Sequence, residues 1–107
     1  MGYLIGIINV FRDLSKSYIN SGLLLQASKN IKQSIRVAEI VGDYPGCAKG
    51  YEIWGEIELK KGNMTKAKKY FKNSWKYYQR MEVNDVLKVL YQTRTAEKVK
   101  NLERKNE

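Results

Sequence analysis

Apolar residues recur along the chain at helical spacing, in blocks separated by short polar or glycine-bearing breaks. The first block, Met1 to Ser21, opens on the strongly apolar MGYLIGIINV. Leu4, Ile5, Ile8, Phe11 and Leu14 are expected to pack on the helix that follows. Ser21-Gly22 reads as a turn. The second block runs from about Leu23 to Val41, with Ala27, Ile31, Ile35, Ala38 and Val41 as its buried stripe. Lys29, Lys32 and Arg36 share another of its faces. Gly42 is expected to stop this helix in the left-handed conformation, and Pro45 to sit in the first turn of the next. The third block spans about Gly46 to Lys61 and ends at Gly62. Asn63 or Thr65 would cap the fourth, which runs to about Glu82. Asn84 or Asp85 would cap a fifth, carrying Val86, Leu87, Val89, Leu90, Tyr91, Ala96, Val99 and Leu102, to about residue 104.

The blocks match one another at an offset of about forty residues. Gly22 falls on Gly62, Ala27 on Ala67, Lys29 on Lys69, Lys32 on Lys72 and Ser34 on Ser74. Phe11 falls on Tyr51, Leu14 on Trp54, Ser15 on Gly55, Ile19 on Leu59 and Ile31 on Phe71. Tyr51 and Gly55 fall in turn on Tyr91 and Thr95. The chain divides into one copy over about 8–47, a second over about 48–87, and a closing helix over about 85–104. The linkers VGDYPG (Val41 to Gly46) and EVND (Glu82 to Asp85) are the expected home of extra length.

The second copy carries Tyr51, Trp54 and Gly55 on its first helix and Ala67, Phe71 and Ser74 on its second. Small residues at Gly55 and Ala67 let two helices approach, with Tyr51, Trp54 and Phe71 filling the space around the crossing. This pattern resembles the tetratricopeptide repeat. Glu58 and Gln79 stand where that family has a tyrosine and a proline. The resemblance implies an all-α, right-handed solenoid of about five antiparallel helices, forming one helical repeat domain. It also implies a protein- or peptide-binding role without catalysis. The first helix of each pair lines the family's concave groove, and by repeat position that gives Asn9, Arg12, Lys16 and Asn20, then Lys49, Glu52, Glu56 and Lys60, then Gln92, Ala96 and Lys100. Asn and Gln can hold a peptide backbone, and Arg12, Lys16 and Lys100 favour an acidic segment or a terminal carboxylate. The family's two-carboxylate clamp for chaperone tails is not expected, because Ile53, Val89 and Thr93 occupy its positions.

Charge adds partners to this picture without choosing among them. The chain has 107 residues, a formal net charge of +9, no histidine and one cysteine, Cys47. The charge suits acidic protein segments, nucleic acid or anionic membrane. Lys66, Lys68, Lys69, Lys72, Lys76 and Arg80 are interleaved with Tyr70, Phe71, Trp75, Tyr77 and Tyr78 on the fourth helix. A nucleic-acid-associated protein acting through residues 65–82 is therefore an alternative reading. A self-assembling scaffold is another, since the apolar N-terminal helix could pair with a second copy or a neighbouring domain.

The missing histidine removes Ser-His and Cys-His pairs and any Cys/His zinc site. Glu56 and Glu58 point to different sides of a helix, and the glycines are too scattered for a phosphate loop. Neither an enzyme nor a cofactor or metal is expected. The lone cysteine fits a reducing, cytoplasmic compartment. MGYLIGIINV is too short to span a bilayer and lacks a secretion signal's basic flank, and Gly6 is wrong for myristoylation.

Overall fold

In the computed structural model the described residues are 2–81 and 85–105, without the side chains of 85–88, 91, 95 and 102–105. The EVND linker, a cap at Asn84 or Asp85, and the side chains of Val86, Leu87, Tyr91, Thr95 and Leu102 lie outside them. The described residues form five α-helices and no strand: α1 (Gly2–Asn20), α2 (Leu24–Val41), α3 (Tyr44–Lys60), α4 (Met64–Gln79) and α5 (Asp85–Lys105). Each helix packs on the next, and α1 also touches α3.

The turns show why the pairs form. Gly22 and Gly62 take φ of 76° and 81°. A side chain at such a φ would be strained, so glycine ends both helices. After Gly22, Leu23 N–H donates to Tyr18 C=O at 2.9 Å, and after Gly62, Asn63 N–H donates to Glu58 C=O at 2.9 Å. These six-residue closures satisfy carbonyls that a helix end leaves without partners.

Two serines repeat the same arrangement inside the pairs. Ser34 Oγ donates to Ile8 C=O at 2.9 Å, and Ser74 Oγ donates to Ala48 C=O at 2.7 Å. Donors and acceptors are both forty residues apart. Both serines are fully buried, so a hydroxyl without an acceptor would be unfavourable there, and its presence fixes the height of one helix against its partner. Ser15, at the position of Gly55, donates instead to Ala27 C=O at 2.8 Å.

The α3–α4 crossing is set by volume. A Cβ on Gly55 would lie 2.6 Å from the Phe71 ring, and Phe71 and Ala67 are buried against Leu59, Met64 and Val99. On the neighbouring crossing, a Cβ on Gly50 would lie 2.5 Å from Ile35 Cγ1. Ala27, Ile31, Ile35, Ile53 and Ile57 make the core between α2 and α3.

Several details correct the sequence expectations. Helix α3 starts at Tyr44 rather than Gly46, because Asp43 caps it by accepting from Gly46 N–H at 3.1 Å, with Pro45 in the first turn. Most of VGDYPG is therefore helix. Helix α4 stops at Gln79 rather than Glu82, its last turn tightening as Arg80 and Met81 N–H donate to Tyr77 and Tyr78 C=O. Asn63 is the cap position of α4 but makes no side-chain capping bond. Ile5 and Leu14 are 40% and 42% exposed, so neither joins Ile8 in the α1–α2 interface. Tyr51 and Trp54 do reach α4 as expected, stacking on Tyr77 and Tyr70 beside the Gly55 crossing, and they also lie against the core between α2 and α3.

Gly55→Ala is expected to destabilise the protein by about 1 kcal/mol or more, because the methyl displaces a buried ring by more than helix propensity returns. Urea denaturation monitored by circular dichroism checks it.

Candidate binding cleft between α1, α3 and α5

The first helices of the two pairs leave a cleft of about 340 Å³ lined by Arg12, Lys16, Lys49, Glu52, Ile53, Glu56 and Arg94. Residues four apart share a helix face, so Arg12 and Lys16 come together from α1, and Glu52 and Glu56 from α3. Five of the residues selected from sequence (Arg12, Lys16, Lys49, Glu52 and Glu56) meet here. Asn9 stands beside them, accepting from Arg12 Nη2 at 2.9 Å. Asn20 and Lys60 are exposed at the ends of α1 and α3 and do not line the cleft. Gln92 and Lys100 of α5 do not line it either.

The cations of α5 that do reach this side are Arg94 and Lys98. Lys98 Nζ donates to Glu52 Oε1 at 2.7 Å and to Glu56 Oε1 at 2.6 Å. Arg94 Nη2 is 3.1 Å from both Glu52 Oε2 and the Tyr78 hydroxyl, and that hydroxyl donates to Glu52 Oε2 at 3.1 Å. Glu52 therefore joins α3, α4 and α5 while only 9% exposed. A carboxylate so covered has lost most of its water, and these donors replace it.

The electrostatics follow from these partners. Burial pushes the Tyr78 phenol up, and the Glu52 carboxylate pushes it further. Burial alone would lower the Lys98 pKa, but its hydrogen bonds to Glu52 and Glu56 outweigh burial and leave it raised. Glu52 and Glu56 are thus held within the chain rather than displayed to a partner. Lys16 and Lys49 make no ion pair among the described residues. Five cations, counting Lys98, face two carboxylates, so the cleft is positive overall.

The basic fourth helix separates into two faces. Lys68, Lys69, Lys72 and Lys76 line one side with Thr65 and Asn73. Tyr70 stacks on Trp54 with ring centroids 3.9 Å apart, and Tyr77 lies 5.8 Å from Tyr51, both toward α3. Phe71 and Tyr78 are buried. The interleaving seen in sequence does not make one lysine–aromatic surface. Cys47 is buried and its thiol is pushed up to about 12, first by burial and then by Glu39 and Asp43, which leaves it unreactive.

Among the described residues no cluster of carboxylates and cysteine could hold a metal ion, and no helix is long and apolar enough to cross a membrane. Compared with protein-family models, curated proteins and solved structures, the chain matches none.

Glu52→Ala is expected to cost about 1–3 kcal/mol and to loosen α5 first. Hydrogen exchange should rise in residues 89–101 before it rises in α2 or α3. Alkaline pH should act on the same network. The Tyr78 and Lys98 pKa values lie above the ordinary 10.0 and 10.5, so the unfolded chain loses these protons first. Stability contributed by the pair is present below about pH 10 and lost as pH rises beyond it. Thermal melts across pH 8 to 12, with tyrosinate absorbance followed in parallel, check the sign (both pH limits are approximate).

Proposed function

We propose that the chain is a protein- or peptide-binding module. Its helix pairs stack as a right-handed solenoid of the tetratricopeptide type, and the cleft between α1, α3 and α5 is the binding surface. The observation that carries this reading is the convergence of Arg12, Lys16 and Lys49 from two helices into one cleft whose own carboxylates are already neutralised by α5. Cations left facing solvent on a concave surface attract an acidic segment, and Arg12 can hold a carboxylate through two parallel hydrogen bonds. The repeated glycine turns and the repeated serine–carbonyl bonds support the stacked arrangement. The separation of lysines from rings on α4 favours this reading over nucleic-acid binding through residues 65–82.

Arg12→Glu with Lys16→Glu is expected to weaken binding of an acidic peptide by at least about tenfold, with the circular dichroism spectrum unchanged. Affinity purification of the tagged chain with nuclease treatment provides the cellular version. A discrete protein that survives nuclease with the wild-type chain and disappears with the double variant supports the module. Recovery limited to proteins that vanish with nuclease overturns it.

A further inference from the structure

The face by which α3 packs on α2 has a counterpart on α1 that is left open among the described residues. On α3 that face is made of Cys47, Gly50 and Trp54. Cys47 is buried with Ala38 of α2, and a Cβ on Gly50 would lie 2.5 Å from Ile35 Cγ1. Lys32 Nζ lies 5.4 Å from the Trp54 ring centroid. Partners on α2 fall in number as positions on α3 rise, so the two helices cross antiparallel there. Forty residues earlier, the same positions on α1 are Ile7, Val10 and Leu14. Val10 is 58% exposed and Leu14 42%, and Tyr3, one turn before Ile7, is 80% exposed.

Spacing, charge and area together say what covers this face. Positions 3, 7, 10 and 14 keep to one side of a helix over two heptads. Their spacing of four, three and four reads the same from either end. Two copies of α1 laid antiparallel therefore set Tyr3 against Leu14 and Ile7 against Val10, so the stripe is complementary to itself. No side chain from Gly2 to Phe11 is charged, in a chain of net charge +9. Copies of so basic a protein repel one another, and on this face they meet without opposing cations. The same lack of cations gives an anionic membrane or an acidic segment nothing to hold. The four side chains leave roughly 400 Å² to water, about half of the 800 Å² that each partner buries in a stable interface. Gly6 and Ser17 flank the stripe with little bulk, and a Cβ on Gly6 would meet nothing within 4 Å. A second helix can thus approach closely, and the flanking surface supplies the remaining area.

We infer that the Tyr3, Ile7, Val10 and Leu14 stripe of α1 pairs with the same stripe of a second copy, the two helices running antiparallel. Arg12 and Lys16 line the peptide cleft on another side of α1, so the pairing does not rest on the binding role proposed above and leaves both clefts open.

Sedimentation equilibrium of the full chain is expected to give twice the monomer mass, with a dimer Kd below about 20 μM. Val10→Asp should weaken the dimer by about tenfold or more. Val10 is exposed in the single chain, so the fold should persist, and circular dichroism verifies this. Leu25→Asp, at a similarly exposed position on α2, should change Kd by less than about threefold. Arg12→Glu with Lys16→Glu, which removes peptide binding, should leave the dimer in place. Cysteine pairing reads the direction. A mixture of Tyr3→Cys and Leu14→Cys chains should form a disulfide-linked dimer on oxidation, with the buried Cys47 taking no part. Tyr3→Cys alone should not, because antiparallel pairing holds the two copies of that position about 16 Å apart. A monomer at about 100 μM overturns the inference. So does a dimer that Val10→Asp leaves unchanged, or one in which Tyr3→Cys alone cross-links.

Discussion

A carboxylate with 9% of its surface left to water is the point at which three helices are joined. Glu52 sits on α3, and its donors come from Tyr78 on α4 and from Arg94 and Lys98 on α5. Apolar packing tolerates small slides and rotations. A charge this covered does not, because each lost donor leaves an unfavourable buried acceptor. The position of α5 against the first two pairs is therefore fixed by polar geometry, while α1 to α4 are fixed mainly by volume. Val99 adds the apolar contact of α5 with Ala67 and Phe71. The same carboxylate shapes the cleft, since neutralising Glu52 and Glu56 from α5 leaves Arg12, Lys16 and Lys49 to set the sign of the field.

Helices, turns and the α3–α4 crossing were legible because each depends on residues close in sequence. Gly22, Gly42 and Gly62 mark backbone positions of positive φ, a local property. Ser34 and Ser74 were visible as equivalent positions, and Gly55 as a small residue opposite a ring. Boundaries were less legible where two signals compete. Pro45 suits a first turn, but Asp43 is the stronger cap, and the helix begins with it.

The α5 side of the cleft was not legible from repeat position, which selects Gln92 and Lys100. The contacts are made by Arg94 and Lys98, at separations of 42 and 46 residues from Glu52. Such pairing depends on how α5 is rotated and raised against α3, which no local pattern encodes. One signal was present. Arg94 and Lys98 are four apart, as are Glu52 and Glu56, so two helices carry complementary charge pairs at matching rise. The surroundings of Tyr51 and Trp54 were obscured for a related reason. Tyr51 and Trp54 satisfy a core pattern in sequence, and only the packing of α2 on α3 leaves them half-exposed beside Lys32 and Arg36.

The three glycine turns, at Gly22, Gly42 and Gly62, have a mechanical meaning. Each closes within six residues, and each helix leans mainly on its neighbour in sequence, so among the described residues tension along the chain meets no single clamp joining the first helix to the last. Helices can be peeled away in order, each released without disturbing the pair behind it. The fastening that resists this order is the Glu52–Lys98 contact, which holds the last helix to the third across the fourth. Under load, extension would start at α1, where the helix is held mainly by α2, and the ionic fastening would give the two ends of the chain unequal compliance.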